Sequence, residues 1–228
     1  MPSPILHLNE SMKDARRLME IHEDVGGTAQ GRRYGLDVLN KSGVMFVAAA
    51  WEAFVEEAAT QAIDHFLTKA TSHKDIPLPI RKATAKGLEA HKDDLKVWDL
   101  AGNGWKTVVK DYRDQIVKEE IATFNTPKPH NVDSLYKKLL GIESVCATWH
   151  WQGMSVAAAK EKLKAFIEKR GAIAHRGDLT HPIIKAYVED HREFINRLAV
   201  RTSNTIRLEV HKQIGTYPWP RAKYGTFT

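Results

Sequence analysis

An arginine and a histidine five positions apart, in "LKAFIEKRGAIAHRG" (163–177), are the side chains of this sequence best suited to chemistry. Histidine takes or gives a proton near neutral pH. The arginine fork grips a phosphate and stabilises the charge that develops on it. Together Arg170 and His175 form a minimal set for cleaving RNA without a metal, because RNA carries its own nucleophile, the 2′-hydroxyl beside the phosphorus. DNA lacks that group, so the same pair has no such route on DNA. The spacing also admits quieter readings. On a helix beginning at Ser155, the apolar residues Val156, Ala159, Leu163, Phe166 and Ile167 form a stripe. Arg170 falls about 20° from Leu163, within that stripe, and His175 about 120° away, on its flank. A guanidinium so placed must pair with a carboxylate, snorkel at the helix end, or open into a wet cleft.

Other groupings carry less chemistry. His191 lies on the apolar face of the last helix, where it either reaches the cleft or fills the core. Lys160, Lys162, Lys164 and Lys169 are a solvated helix face that would also steer RNA if it flanks the cleft. His22, Glu23 and Asp24 are consecutive and point in different directions, with no second ligand pair at metal spacing. His150 stands between Trp149 and Trp151, aromatic residues that could stack on bases or pack on a bundle. Lys169, Arg176 and His191 are the candidate substrate contacts beside Arg170 and His175, and no metal site is expected.

The elements that must position these residues read almost entirely as helix. In "VMFVAAAWEAFVEEAATQAIDHFL" (44–67) apolar side chains recur at i, i+3 and i+4, while Glu52, Glu56, Glu57, Gln61 and Asp64 take the opposite face. Residues 8–24 form a shorter candidate helix, followed by the glycine-rich joint 25–31. The pattern weakens between 71 and 125, then resumes from Trp105. "FNTPKPHNVDSLYKKLLGI" (124–142) predicts a short helix capped by Asn131 or Asp133 and closed near Gly141. "TWHWQGMS" is a loop, "RGD" ends the motif helix at Gly177, and Thr180 with Pro182 opens a final helix to about Ile214. These elements make one all-α domain, an antiparallel helical bundle over 1–215, with an extended aromatic tail over 216–228.

Composition sets the outer bounds. Hydrophobic residues make up 43% and charged residues 27% of the 228 positions, as in ordinary soluble domains. No run approaches the roughly 18 uninterrupted apolar residues of a membrane span. The start lacks a secretory pattern, and the single cysteine, Cys146, excludes an intrachain disulfide, so a reducing cytoplasm is expected. The net charge of +6 favours acidic partners such as nucleic acid, though many basic proteins bind none.

The motif and its surroundings resemble a known family. "LKAFIEKRGAIAHRG" resembles the Arg-x4–6-His signature of the HEPN superfamily of helical bundles. "FVAAAWEAFVEEAATQAI", "FNTPKPHNVDSLYKKLLGI" and the Arg…"IAH" segment, in that order over residues 35–200, resemble the RiboL-PSP type of HEPN domain. The resemblance implies long bundle helices with extra short ones and a metal-independent endoribonuclease without cofactor. Arg170 and His175 would be catalytic, and products would carry 2′,3′-cyclic phosphate and 5′-hydroxyl ends. It also implies a homodimer whose two motifs share a cleft, and suits a toxin or defence effector with RNA and an antitoxin or other protein as partners. One position departs: after the arginine the family often has a polar residue such as Asn, and here stands Gly171. The alternative is a non-catalytic helical module that binds RNA, a nucleotide or a protein, with the exposed tail aromatics (Tyr217, Trp219, Tyr224, Phe227) as a partner surface.

Overall fold

The computed structural model describes residues 3–27, 35–122, 124, 126–176 and 182–225, without the side chain of Arg176. Seven α-helices are described: α1 Pro4–Gly26, α2 Asp37–Lys69, α3 Leu78–Glu89, α4 Trp105–Ala122, α5 Pro129–Leu140, α6 Val156–Arg176 and α7 Lys185–Ile214. Short 3-10 turns at His73–Asp75, Asp94–Leu100 and Cys146–Thr148 join them. The described part of the chain is an all-α fold, as its periodicity predicts.

Helix α2 is the axis of the bundle. Trp51, Phe54, Val55, Ala58, Ala59, Ile63 and Phe66 are buried against α1, α7 and the shorter helices. It is also the one described helix whose length and apolar content match a membrane crossing, yet half of that stretch is buried inside the fold. Three ends fix the helix directions. Asn40, near the start of α2, donates to the carbonyl of Ile183 just before α7 (2.8 Å). His65, near the end of α2, bonds Thr216 just after α7 (2.9 Å). Lys185 at the start of α7 pairs with Glu23 at the end of α1. Helices α2 and α7 therefore run in the same direction, with α1 antiparallel to both. The four helices between α2 and α7 carry the chain back to the starting end. Helix α6 runs antiparallel to α7, since Lys162 meets Asp190 (2.7 Å) while Phe166 lies against Tyr187.

Several boundaries move for local reasons. Helix α1 begins earlier than 8, at Pro4: the Ser3 hydroxyl accepts the Ile5 N–H (3.4 Å) and proline suits the first helical turn. Within 71–125, where the apolar spacing is weak, α3 forms and buries only Ile80 and Thr84, so it leaves little periodic signal. Helix α5 begins at Pro129, ahead of both expected caps. Asn131 instead donates to the Thr126 carbonyl (2.6 Å), and Asp133 accepts from Ser144 Oγ (2.8 Å) and the Cys146 N–H (3.0 Å). Gly141 ends α5 in the left-handed region at φ 73°. Gly177 and Thr180 lie outside the described residues, and Pro182 precedes α7 by three positions.

The tail is not the free aromatic surface that its composition suggests. Trp219 is buried on α7, and its carbonyl accepts from Arg207 Nε (3.0 Å). Ala222 and Asn204 exchange two hydrogen bonds (2.9 and 3.0 Å), and the Arg207 guanidinium lies 3.5 Å from the Tyr217 ring centroid. Tyr217 and Tyr224 keep exposed edges, while Phe227 lies outside the described residues.

Candidate functional site

The motif helix is built as its apolar spacing dictates. Ser155 Oγ accepts the Ala158 N–H (3.2 Å) at its start, and Ala159, Leu163, Phe166 and Ile167 bury the stripe. Burial then stops. Arg170 continues the same stripe but its side chain is 28% exposed, and Ala174, one turn further, faces solvent. Ile173 still packs partly buried against the core, and only the last turn of α6, with Ala174 and His175 exposed, runs beyond it. Arg170 sits at the rim, half in and half out.

A carboxylate waits across from it. Arg170 Nη2 lies 3.6 Å from Glu52 Oε2 on α2. That distance allows Coulomb attraction but not a hydrogen bond, so this contact does not consume the guanidinium's donors. Burial pushes the Glu52 carboxyl above its usual range, and Arg170 pulls it back only in part. Glu56, one turn on, is raised by burial and then by the negative charge of Glu52. The rim therefore holds one guanidinium beside two carboxylates that ionise reluctantly.

Glu52 is the residue that sequence reasoning misplaced. The polar side of α2 reads as a solvent face, but the flanking helices cover it. Glu57 pairs with His7 of α1, Asp64 with Arg113 of α4, and Glu52 with Arg170 of α6. The signal was present in the arginine itself, since a guanidinium on an apolar stripe calls for a carboxylate on the facing helix.

His175 is exposed in the last turn of α6. Lys169 is half-buried, with its ammonium 5.8 Å from the Tyr187 ring centroid. Arg176 closes the helix, and its side chain is outside the described residues. His191 is 6% exposed and lies under the motif helix rather than beside it. Its ring stacks on Phe166 and Tyr187, and Nδ1–H donates to the Tyr187 carbonyl (2.8 Å). Burial lowers its pKa below the usual histidine value. Of the expected residues, α6 carries Arg170, His175, Lys169 and Arg176 within two turns, whereas His191 props the α6–α7 contact from below. Among the other lysines, Lys162 pairs with Asp190 and Lys164 with Glu161 (3.5 Å).

The stretch 124–142 seats this rim. The Pro127 carbonyl accepts Trp51 Nε1–H (3.1 Å), fixing α2 at the residue before Glu52. Tyr136 donates to the Val55 carbonyl (3.0 Å) one turn on. Lys128 reaches Glu168 on α6 (2.9 Å), two residues before Arg170. The segment thus touches both helices that carry the Arg170–Glu52 pair. Trp149, in the loop before α6, is buried edge-on to Trp51 and donates to Thr202 (2.9 Å). His150 beside it is exposed.

Other chemistry finds no support in the packing. Cys146 is buried, its thiol donates to the Pro129 carbonyl (3.3 Å), and burial with the Asp133 charge pushes it far up. That is the setting of an inert thiol. Glu23 is taken up by Lys185, and among the described residues no three His, Cys, Asp or Glu side chains converge as metal ligands.

Comparison with known proteins agrees with the geometry at the level of the domain. No curated protein and no solved structure matches the chain. The family described as RiboL-PSP-HEPN matches residues 10–207, a span containing α2, the 124–142 segment and the Arg170–His175 helix. With its all-α fold and a match over most of its length, the chain belongs to the RiboL-PSP-HEPN family.

Proposed function

We propose that this protein is a metal-independent endoribonuclease that works as a homodimer. The observation that carries the reading is Arg170 itself: a partly exposed guanidinium, held electrostatically by Glu52 without a hydrogen bond, on the helix that ends in exposed His175. Such a group can turn its fork on a phosphate without first breaking a strong bond. In the proposed reaction the RNA 2′-oxygen attacks the adjacent phosphorus and the bond to the 5′-oxygen breaks. The products are a 2′,3′-cyclic phosphate and a 5′-hydroxyl. Arg170 stabilises the charge on the phosphoryl oxygens and His175 exchanges the proton. Lys169 supplies positive charge along the approach, while His191 supports the helix from beneath.

Two features support a dimer. Five residues of helix turn Arg170 and His175 about 140° apart, so the two motifs of a pair of chains would enclose a phosphate better than one. Beside the rim, α2 also presents an outward apolar stripe. Val38 and Phe46 are 62% and 43% exposed, and Ala49 and Ala53 continue the stripe on the flank of Glu52. An apolar strip bordering a charged site fits the core of a subunit interface. Unchecked RNA cleavage would harm the cell that makes the enzyme, which fits a cytoplasmic toxin or defence effector restrained by a protein antagonist.

The test is direct. Wild type, Arg170→Ala and His175→Ala are incubated with mixed RNAs in EDTA. Cleavage by wild type with cyclic-phosphate ends, lost in both folded variants, is expected. Equal or absent cleavage in all three would sink the reading. Sedimentation at micromolar concentration checks the dimer, and a monomer there counts against a shared site.

A further inference from the structure

A second site lies at the other end of α2. Thr71, just past the end of α2, is 19 positions from Glu52, roughly 28 Å along a helix axis. Here α3, α4 and the adjoining loops enclose a cavity of about 540 Å³, within the usual range for small-molecule pockets. Ala85, Leu88, Leu100, Trp105 and Val109 give it an apolar floor. The two helices behind it pack tightly: α3 and α4 approach so closely that a Cβ on Gly87 would sit 2.3 Å from the Tyr112 ring.

The polar side chains on this cavity are one cation, Arg81, and five groups that can both donate and accept, Thr71, Ser72, His73, Thr84 and Asn103. Arg81 is anchored by one bond, Nε to the Ile76 carbonyl (3.0 Å), and its terminal nitrogens meet no carboxylate among the described residues. Thr84 is 3% exposed, and its hydroxyl has no hydrogen-bond partner among the described residues. A helical threonine commonly satisfies that hydroxyl on the carbonyl four residues back, and Thr84 does not. That hydroxyl is shut off from solvent, so a ligand atom completes it only when the Thr84 side chain turns toward the cavity. Among the described residues no acidic side chain lines the cavity. Nearby Asp75 is spent on the Thr71 and Ser72 N–H groups (2.8 and 2.9 Å).

We propose that this cavity binds a small carboxylate with a flat apolar body, such as an aromatic acid. The apolar portion rests on Trp105, Leu88 and Val109, and the carboxylate takes the free fork of Arg81 and, once the Thr84 side chain turns, its hydroxyl. The site is independent of the Arg170 rim.

Isothermal calorimetry on the full chain with 2-naphthoate and its uncharged analogue 2-naphthylmethanol tests this. Saturable binding of naphthoate, one per chain, is expected. Arg81→Met is expected to weaken naphthoate roughly 10-fold while changing naphthylmethanol by no more than about 2-fold. Thr84→Val, nearly isosteric, is expected to weaken naphthoate by about 3-fold or more. Ala85→Trp, on an exposed edge of the wall, fills the space and abolishes both, while Arg170→Ala leaves both unchanged. Absence of naphthoate binding, retention of binding in Ala85→Trp, or equal loss of both ligands in folded Arg81→Met would overturn the proposal. Displacement of naphthoate by millimolar inorganic phosphate would reassign the cavity to phosphate and overturn it too.

Discussion

Arg170 Nη2 and Glu52 Oε2 face each other across the α2–α6 contact at 3.6 Å, near enough to attract and too far to hydrogen-bond. The contact orients the guanidinium and leaves its donors unspent. It also places a negative charge where a substrate phosphate would bring another, so the same carboxylate that steadies the arginine opposes the ligand.

The raised pKa of Glu52 decides what its removal should do to stability. Burial outweighs the attraction of Arg170. A carboxyl raised in the fold contributes stability below its unfolded pKa, and that contribution is lost as pH rises through the folded value. At neutral pH the ionised group is therefore a cost. Glu52→Gln is expected to leave stability at pH 7 unchanged or to raise it by up to about 1 kcal/mol. In cleavage assays kcat is expected to fall about 10-fold as Arg170 loses its orienting charge, and KM to fall with the removed repulsion. Denaturant titration at pH 7 and steady-state RNA cleavage check both. A loss above about 2 kcal/mol, or an unchanged kcat, contradicts this account.

Gly171 separates this chain from the polar residue often found after the family's arginine. A Cβ built at Gly171 meets nothing within 4 Å. Gly171→Ala is expected to stabilise the helix by roughly 0.5–1 kcal/mol, since glycine is a poor interior helix residue. Gly171→Asn adds a side-chain donor and acceptor in the same open space and is expected to cleave RNA several-fold faster than Gly171→Ala. Comparing the two alanine- and asparagine-bearing proteins separates helix stiffening from the added polar group. Equal rates would show that the polar residue does not limit this site.

Much of this was legible because helices write their faces into sequence. The spacing in 44–67 foretells the buried side of α2, and the stripe from Val156 to Ile167 foretells α6 and puts Arg170 on that stripe, while its partial exposure at the rim shows only in the fold. What sequence could not tell is which surfaces meet. The acidic face of α2 looks solvated until His7, Arg113 and Arg170 arrive from three other helices. The prolines of 124–142 hide the fact that the Pro127 carbonyl is an acceptor for Trp51. Trp219 reads as an exposed tail aromatic because tertiary packing on α7 leaves no local periodicity.

The 124–142 segment acts through single buried bonds, and Tyr136 isolates one. Its hydroxyl donates to the Val55 carbonyl in a fully buried setting (3.0 Å). Tyr136→Phe keeps the ring and removes that bond, so a loss of about 1–1.5 kcal/mol is expected. The midpoint of denaturant unfolding should move while its slope stays constant. No change would mean that the bond does not hold α5 to α2.

Acid should weaken the fold before the carboxylates protonate. Burial lowers the pKa of both His191, between Phe166 and Tyr187, and His65, beside Thr216. A histidine depressed in the folded state contributes stability that is complete above the unfolded value of about 6.5 and declines as pH falls below it toward the folded value. Stability is therefore expected to drop as pH falls below roughly 6.5, where an ordinary exposed histidine would leave it flat. His191→Phe preserves the stacked ring and cannot be protonated. It gives up the bond to the Tyr187 carbonyl at about 1 kcal/mol near pH 7.5, but its pH profile should be flatter than that of wild type. Chemical unfolding of both proteins across that range measures the difference. Parallel profiles would show that His191 is not a source of acid sensitivity, and a wild-type profile flat to pH 5 would clear His65 as well.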